Sequence, residues 1–340
     1  MVTRMRISSW EFAVGEPKEI SGASVARLEE FLNDRWRKVW CEGAENIIPN
    51  KWGGLKKFGV SSPVIRIDLS PCSAEESEVV ERKIYEIEMR PGGLGVLLEL
   101  YRLYSNIFIF YQTKEKISNA LRGLNCAGFV NILSSIKDDE IAAKILELPF
   151  YKDIVPLNFD KGVWWVRTDL RQGEMIKMLE KNSLVPIQME GYKFDLVELG
   201  LAQIMIDESF LDWSRGFVIK PLQGSRAEDV EIYLPTREAK KVKGVSTKTR
   251  ILRTIESKSS GKAFIVQPYI PPLEEKYNGV RGFTIWRVFF GWSGKYEYIG
   301  GLWNWRPTIR VHGASDCAFG PLVMDSLSCK PRFVRRCDIC

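Results

Sequence analysis

The chain is 340 residues long, 45% apolar and 27% charged, which excludes a disordered or low-complexity protein and allows one large domain or two to three ordinary ones. Its formal net charge of +6 suits an anionic ligand such as a nucleotide and is too small to argue for DNA or RNA. A single histidine, His312, excludes two-histidine metal motifs and leaves Ser-His-Asp or Cys-His hydrolysis resting on one side chain.

No apolar run reaches the roughly 18 residues of a membrane span. The first residues, MVTRMRISSWEF, lack the apolar core of a secretion signal. With seven scattered cysteines reading as reduced thiols, the expectation is a cytoplasmic protein without a membrane partner.

In chain order, Ser24 to Trp40 has apolar residues at helical spacing, with Val25, Leu28, Phe31 and Leu32 on one side. Residues 46–57 read as a loop. Val64 to Leu69 (VIRIDL) reads as a strand, a polar connector follows, and Lys83 to Met89 (KIYEIEM) reads as another strand. Side chains alternate along a strand, so Glu86 and Glu88 share a face, and pairing of the two strands sets Asp68 beside them. Three converging carboxylates repel one another unless a cation joins them, and hard oxygen ligands suit Mg2+. The alternative is an exposed sheet face with ordinary surface acids.

Leu94 to Tyr104 predicts a buried helix, Ile107 to Tyr111 (IFIFY) a strand, and Lys114 to Leu124 and Asp138 to Leu148 helices. Phe129 to Leu133 and Val163 to Arg167 are strand candidates, so this region reads as a small α/β layer. Gly173 to Lys181 is a short helix candidate, and Leu196 to Glu208 predicts an apolar helix. Phe217 to Ile219 and Val230 to Tyr233 read as a hairpin around Lys220 and the turn Gln223-Gly224-Ser225-Arg226. A lysine beside a Gly-Ser turn can gather an ammonium and backbone N–H groups round a polyphosphate, whereas the plain alternative is a hairpin whose lysine faces water.

Thr236 to Lys258 is basic and lacks interleaved aromatics, so a solvated segment is expected rather than a nucleic-acid face. Ala263 to Gln267 predicts a buried strand, running into an extended linker stiffened by Pro268, Pro271 and Pro272. Gly282 to Phe290 carries Arg287 among apolar neighbours, where a guanidinium needs an anion, and Tyr296 to Trp305 pairs with it across a turn. From Cys317 on there is little pattern. Cys317, Cys329, Cys337 and Cys340 have irregular spacing for zinc, so free thiols on a flexible tail are the expectation.

IKPLQGSRAEDV, FIVQPYIPPLEE, FTIWRVFFGWSGKYEYIGG followed by NWRP, and RIDL to YEIEMRPGG together resemble the ATP-grasp superfamily. Glu88 stands where asparagine is usual, and the metal strands precede the lysine, as in the circularly permuted glutathione synthetase and glutathionylspermidine synthetase type. The lid is also glycine-poor. The resemblance implies an α+β, ATP-grasp-like fold in which two β-rich subdomains clasp ATP, with a small α/β domain inserted between the permuted halves. It divides the chain into 1–93 (metal strands), 94–204 (α/β, substrate side), 205–316 (nucleotide binding) and a Cys-containing basic tail, 317–340.

The same resemblance implies that Lys220, Ser225 and Arg226 hold phosphates and that Gln267, Tyr269 and Glu274 line the nucleotide. Asp68, Glu86 and Glu88 would hold Mg2+, and Arg287 and Arg306 would stabilise charge during phosphoryl transfer. The implied activity is an ATP- and Mg2+-dependent ligase joining a carboxylate to an amine or thiol through an acyl phosphate. A small-molecule kinase on the same scaffold, or a non-catalytic nucleic-acid or protein-binding module, are the alternatives.

Overall fold

A long antiparallel hairpin forms the centre of the molecule because its two runs alternate large apolar residues on both faces over more than ten positions each. In the computed structural model the described residues are 4–7, 10–39, 62–88, 91–104, 107–123, 126–131, 138–151, 163–167, 185–186, 193–205, 207–221, 230–235, 239, 242–257, 264–310 and 316–325.

The strands are β1 (Arg4–Ile7), β2 (Trp10–Val14), β3 (Lys18–Ile20), β4 (Val64–Leu69), β5 (Ile84–Glu88), β6 (Cys126–Asn131), β7 (Phe150–Tyr151), β8 (Val163–Arg167) and β9 (Val185–Pro186). They continue with β10 (Gln203–Met205), β11 (Phe217–Pro221), β12 (Glu231–Tyr233), β13 (Phe264–Pro268), β14 (Leu273–Tyr277), β15 (Val280–Trp292), β16 (Tyr296–Arg306) and β17 (Ala318–Met324). The helices are α1 (Gly22–Glu30), α2 (Leu94–Tyr104), α3 (Ile107–Gly123), α4 (Asp138–Leu146), α5 (Phe194–Glu198) and α6 (Lys248–Ser257).

Three sheets result, and the architecture is mixed α/β, consistent with an α+β class. The largest has nine strands, with the path β1-β2-β17-β16-β15-β4-β5; β14 pairs with β15 and β3 with β17. A second sheet runs β10-β13-β11-β12, and a parallel third runs β7-β6-β8-β9. On one face of the large sheet, α1 and a π-helical turn, Phe31–Trp36, bury Leu28, Phe31, Leu32 and Trp36 against Trp286, Val288 and Phe290. On the other, Leu97, Leu98 and Tyr101 of α2 and Ile117 and Leu121 of α3 pack with Phe289, Leu302 and Phe319. Among the described residues no helix is long and apolar enough to cross a membrane.

Several sequence expectations need correction. IFIFY is not a strand; it opens α3, where the chain continues helically to Gly123. The helix expected over 196–208 stops at Glu198, because Gly200 takes a φ of +72° and the Leu201 N–H turns back to the Leu196 carbonyl at 2.8 Å. The chain then forms β10 and a single 3₁₀ turn, Glu208–Phe210. The basic segment after the hairpin contains α6, anchored by fully buried Ile251. The proline-stiffened linker ends in β14, which pairs with the start of β15, and the patternless stretch after Cys317 supplies β17. The polar connector before β5 winds into a 3₁₀ run, Ala74–Lys83. Gly173 to Lys181, His312 and Cys329, Cys337 and Cys340 lie outside the described residues, so the zinc question falls there too.

Trp303 shows how tightly this sheet is packed. Its buried indole donates to the Glu16 carbonyl at 2.9 Å, and a Cβ added at Gly15 or Gly320 would come within 2.2 or 2.4 Å of the ring. Gly320→Ala should therefore destabilise the fold by about 1–3 kcal/mol through overpacking, as read by chemical denaturation.

Candidate functional site

β4 lies between β15 and β5, and its register sets Arg287, Asp68 and Glu86 in one row across three strands. The next row on the same face holds Phe289, Arg66 and Glu88. Period-two alternation thus carries the predicted acids to one place, where one oxygen from each of Asp68, Glu86 and Glu88 lies within 4.8 Å of the others. Arg66, only 4% exposed, sits among them. Its Nε donates to Asp68 Oδ1 at 2.6 Å, and its Nη2 donates to Asp68 Oδ2 at 3.0 Å and to Glu88 Oε1 at 2.6 Å. Nη1 donates to the Gly92 carbonyl.

The turn that presents this carbonyl is fixed from the far side. The Asp138 carboxylate accepts from the Gly93 N–H at 2.8 Å and the Val96 N–H at 2.9 Å, satisfying the start of α2.

The electrostatics separate the acids. Burial pushes the Glu88 carboxyl up to about 7, with Arg66 opposing and Glu86 and Asp68 adding to the rise. Burial acts the same way on Glu86, but Lys193, Lys220 and Arg66 outweigh it and hold that carboxyl below its ordinary value. Burial opposes the charge on Arg66 too, and Asp68 and Glu88 more than compensate, so it stays firmly protonated.

The second sheet meets this cluster through Lys220 and Gln267. Lys220 is 8% exposed and donates to the Tyr85 carbonyl at 2.7 Å and to Gln267 Oε1 at 3.0 Å. Gln267 Nε2 donates in turn to the Ile84 carbonyl at 2.8 Å. Burial lowers the Lys220 ammonium to about 8, Glu86 opposing and Lys193 adding. Buried Lys193, at the start of α5, lies 3.6 Å from Glu86 Oε1. Two residues on, buried Asp195 accepts from the Trp36 indole at 2.8 Å and from the Leu196 N–H at 2.9 Å.

No protein-family model matches the chain, and comparison with curated proteins gives no match. The chemistry of each side chain is therefore read from its surroundings.

Asp68, Glu86, Glu88, Lys220, Gln267 and Arg287 come together. Arg287 approaches Asp68 Oδ2 at 3.5 Å, and burial, followed by Arg66, lowers its pKa. Tyr269 follows two residues after Gln267, its backbone N–H donating to the Gly216 carbonyl at 3.0 Å. Glu274 and Arg306 stand apart. Both align with Phe283, four residues or about 13 Å along β15 from Arg287. Exposed Glu274 pairs with Arg281 at 2.7 Å, while Arg306 is engaged by Asp316 at 2.8 Å and the Arg310 carbonyl at 2.9 Å. Ser225 and Arg226 lie outside the described residues.

Sequence reading passed over Arg66 and Lys193. Arg66 had a signal, since a residue two before Asp68 in a strand shares its face. Lys193 comes after a stretch without periodicity and had none.

Three carboxylates with oxygens this close are a set of hard donors that can hold a metal ion. Lys193 and Lys220 act on Glu86, and Arg287 on Glu88, so the positive charge around the acids offsets their own.

Asp195 yields a pH test. Burial raises its carboxyl to about 6, against the Trp36 indole, the Leu196 N–H and Lys193. The folded value exceeds the unfolded value of about 4, so the folded protein holds this proton more tightly. Its stabilising effect is fully present below pH ~4 and is lost as the pH rises through about 6. Asn at this position keeps an acceptor oxygen for the indole and cannot ionise. The stability of Asp195→Asn relative to wild type should therefore increase with pH across this window and level off at up to about 3 kcal/mol. Urea denaturation at pH 5 and pH 8 measures the difference; equal offsets at both would contradict the assignment.

Proposed function

We propose that the protein is an ATP- and Mg2+-dependent ligase of ATP-grasp type that joins a carboxylate to an amine or thiol. The observation that carries this reading is the meeting of an acidic strand pair on one sheet with a buried lysine and glutamine on another, Lys220 and the Tyr85 carbonyl being 135 positions apart in the chain. A nucleotide held between two β-rich units, its phosphates between lysines and a metal-binding acid cluster, needs this combination.

In this reading Asp68, Glu86 and Glu88 hold Mg2+, which when bound supplies charge neutralisation on the phosphate oxygens. Lys220 exchanges the Tyr85 carbonyl for a phosphate oxygen, and Lys193 approaches the same phosphates from α5. Gln267 and Tyr269 stand on the nucleotide side. Arg287 and Arg66 offset negative charge as the substrate carboxylate attacks the γ-phosphorus, ADP leaves, and the resulting acyl phosphate is opened by the amine or thiol with loss of phosphate. Positioning and electrostatics do most of this work, so the lack of a histidine base in the cluster is no obstacle. The early position of the metal strands is that of a permuted chain, which alters connectivity and leaves strand neighbours unchanged.

Calorimetric titration of ATP, with and without Mg2+, tests the reading. Wild type should bind in a Mg2+-dependent manner. Lys220→Ala should bind about 10–100-fold more weakly, the size expected for a charge-assisted hydrogen bond. Glu86→Gln should lose most of the Mg2+ dependence while retaining its fold by circular dichroism. ATP binding that ignores Mg2+ and is untouched by both substitutions would overturn the assignment.

A further inference from the structure

We infer that Asn304 and Arg287 form a subsite for a small carboxylate bearing a hydrogen-bond donor on the adjacent carbon, that is, a 2-hydroxy or 2-amino acid. The inference deepens the ligase reading by naming the class of carboxylate, and rests on it only for the steps after binding.

Asn304 lies on β16 opposite Ile285, and Arg287 is two residues along from Ile285 on β15, so both side chains belong to the sheet face that carries Asp68. Asn304 is 0% exposed, and neither its Oδ1 nor its Nδ2 has a hydrogen-bond partner. Arg287 Nε is likewise buried and unbonded, its one ion pair among the described residues being the 3.5 Å contact with Asp68. The register neighbours of Asn304 are apolar, Ile285 on one strand and Phe319 on the other, and the Arg287 guanidinium stands 6.0 Å from the Phe319 ring centre. A leucine would suit those neighbours. An amide whose donors and acceptor all go unused is costly there, and buried polar groups of this kind are rare in folded proteins.

The chemistry of the unused groups defines their complement. Asn304 offers two N–H donors and one carbonyl acceptor, and Arg287 Nε adds a donor with positive charge. Carboxylate oxygens satisfy Nδ2 and Nε, and a hydroxyl or ammonium on the next carbon satisfies Oδ1. A fully ionised phosphate ester would leave Oδ1 unpaired. The less buried Arg287, 12% exposed, lies beside the acid cluster, so a carboxylate bound here adjoins the site proposed for the γ-phosphate.

The test uses the full chain without nucleotide. L-Lactate and L-alanine are the probes, propionate is the shape-matched control lacking the donor, and inorganic phosphate is the competing anion. Binding is followed by saturation-transfer NMR and thermal shift. Wild type should bind lactate or alanine at least about tenfold more tightly than propionate, because a site built for a hydrogen bond rejects an analogue without it. Asn304→Leu should lose that preference and, without ligand, melt at the same or a higher temperature. Asn304→Asp, which supplies Arg287 with its own carboxylate, should fold and bind none of the probes. Equal binding of the probes and propionate, a preference that survives in Asn304→Leu, Asn304-dependent binding of phosphate in their place, or a lower melting temperature for Asn304→Leu would overturn the proposal. MgATP titration of Asn304→Leu should match wild type; a probe preference in a protein that binds no ATP would sink the ligase reading and leave the subsite standing.

Discussion

A buried guanidinium underlies the whole arrangement. Arg66 sits in the middle of β4 with almost no access to water, and a cation there is tolerable only if anions and carbonyls take up its donors. Asp68, Glu88 and the Gly92 carbonyl do so, and in turn the acids gain a reason to crowd together. The cost of confining three carboxylates is spread among Arg66, Arg287, Lys193 and Lys220, drawn from four separate stretches of chain. Because Gly92 is fixed by the start of α2, and α2 by Asp138 of α4, the layer of helices over one face has a direct mechanical hold on the acids.

The link between the two sheets is polar, small and specific. Among the described residues β5 ends the path of its sheet, and Lys220 and Gln267 donate to its Tyr85 and Ile84 carbonyls. An edge covered in this way is protected from pairing with other chains, yet the covering groups are side chains that can be withdrawn without breaking a ladder. The apolar contribution comes from Ile265 of β13 together with Leu196 and Leu199, which join the core around Trp36.

Much of the frame was legible because its strands obey simple periodicity. β4, β5, β11, β13, β15 and β16 all lie where alternation or short apolar runs placed them, and the same alternation put Glu86 and Glu88 on one face. Errors came where local pattern yielded to packing. IFIFY has strand composition but its chain is committed to α3, and the long apolar run after Leu196 ignored the helix-stopping Gly200. β17 went unseen because an interior strand of glycine, proline and alanine has little pattern, and Gly320 is there to admit the Trp303 ring. Within the site, residues tied to a strand position could be placed from sequence. Lys193 could not, since its location depends on how α5 docks, and Asn304 was hidden between two tryptophans whose rings face the other way.

The position of β15 in the sheet also bears on how the chain is made. β4 and β5 are synthesised some two hundred residues before the strand that separates them from the rest of the sheet. Until β15 emerges, β4 has no partner on its inner side, and Asp68 lacks its neighbour Arg287. A nascent chain would carry an apolar, acid-bearing ribbon with an open edge through most of its translation. Such long-range pairing slows folding and exposes edges to other chains. The helices that pack on this sheet, α1 before β4 and α2 and α3 after β5, are all encoded ahead of β15, so they are available early to shield its faces while the central hairpin is still to come.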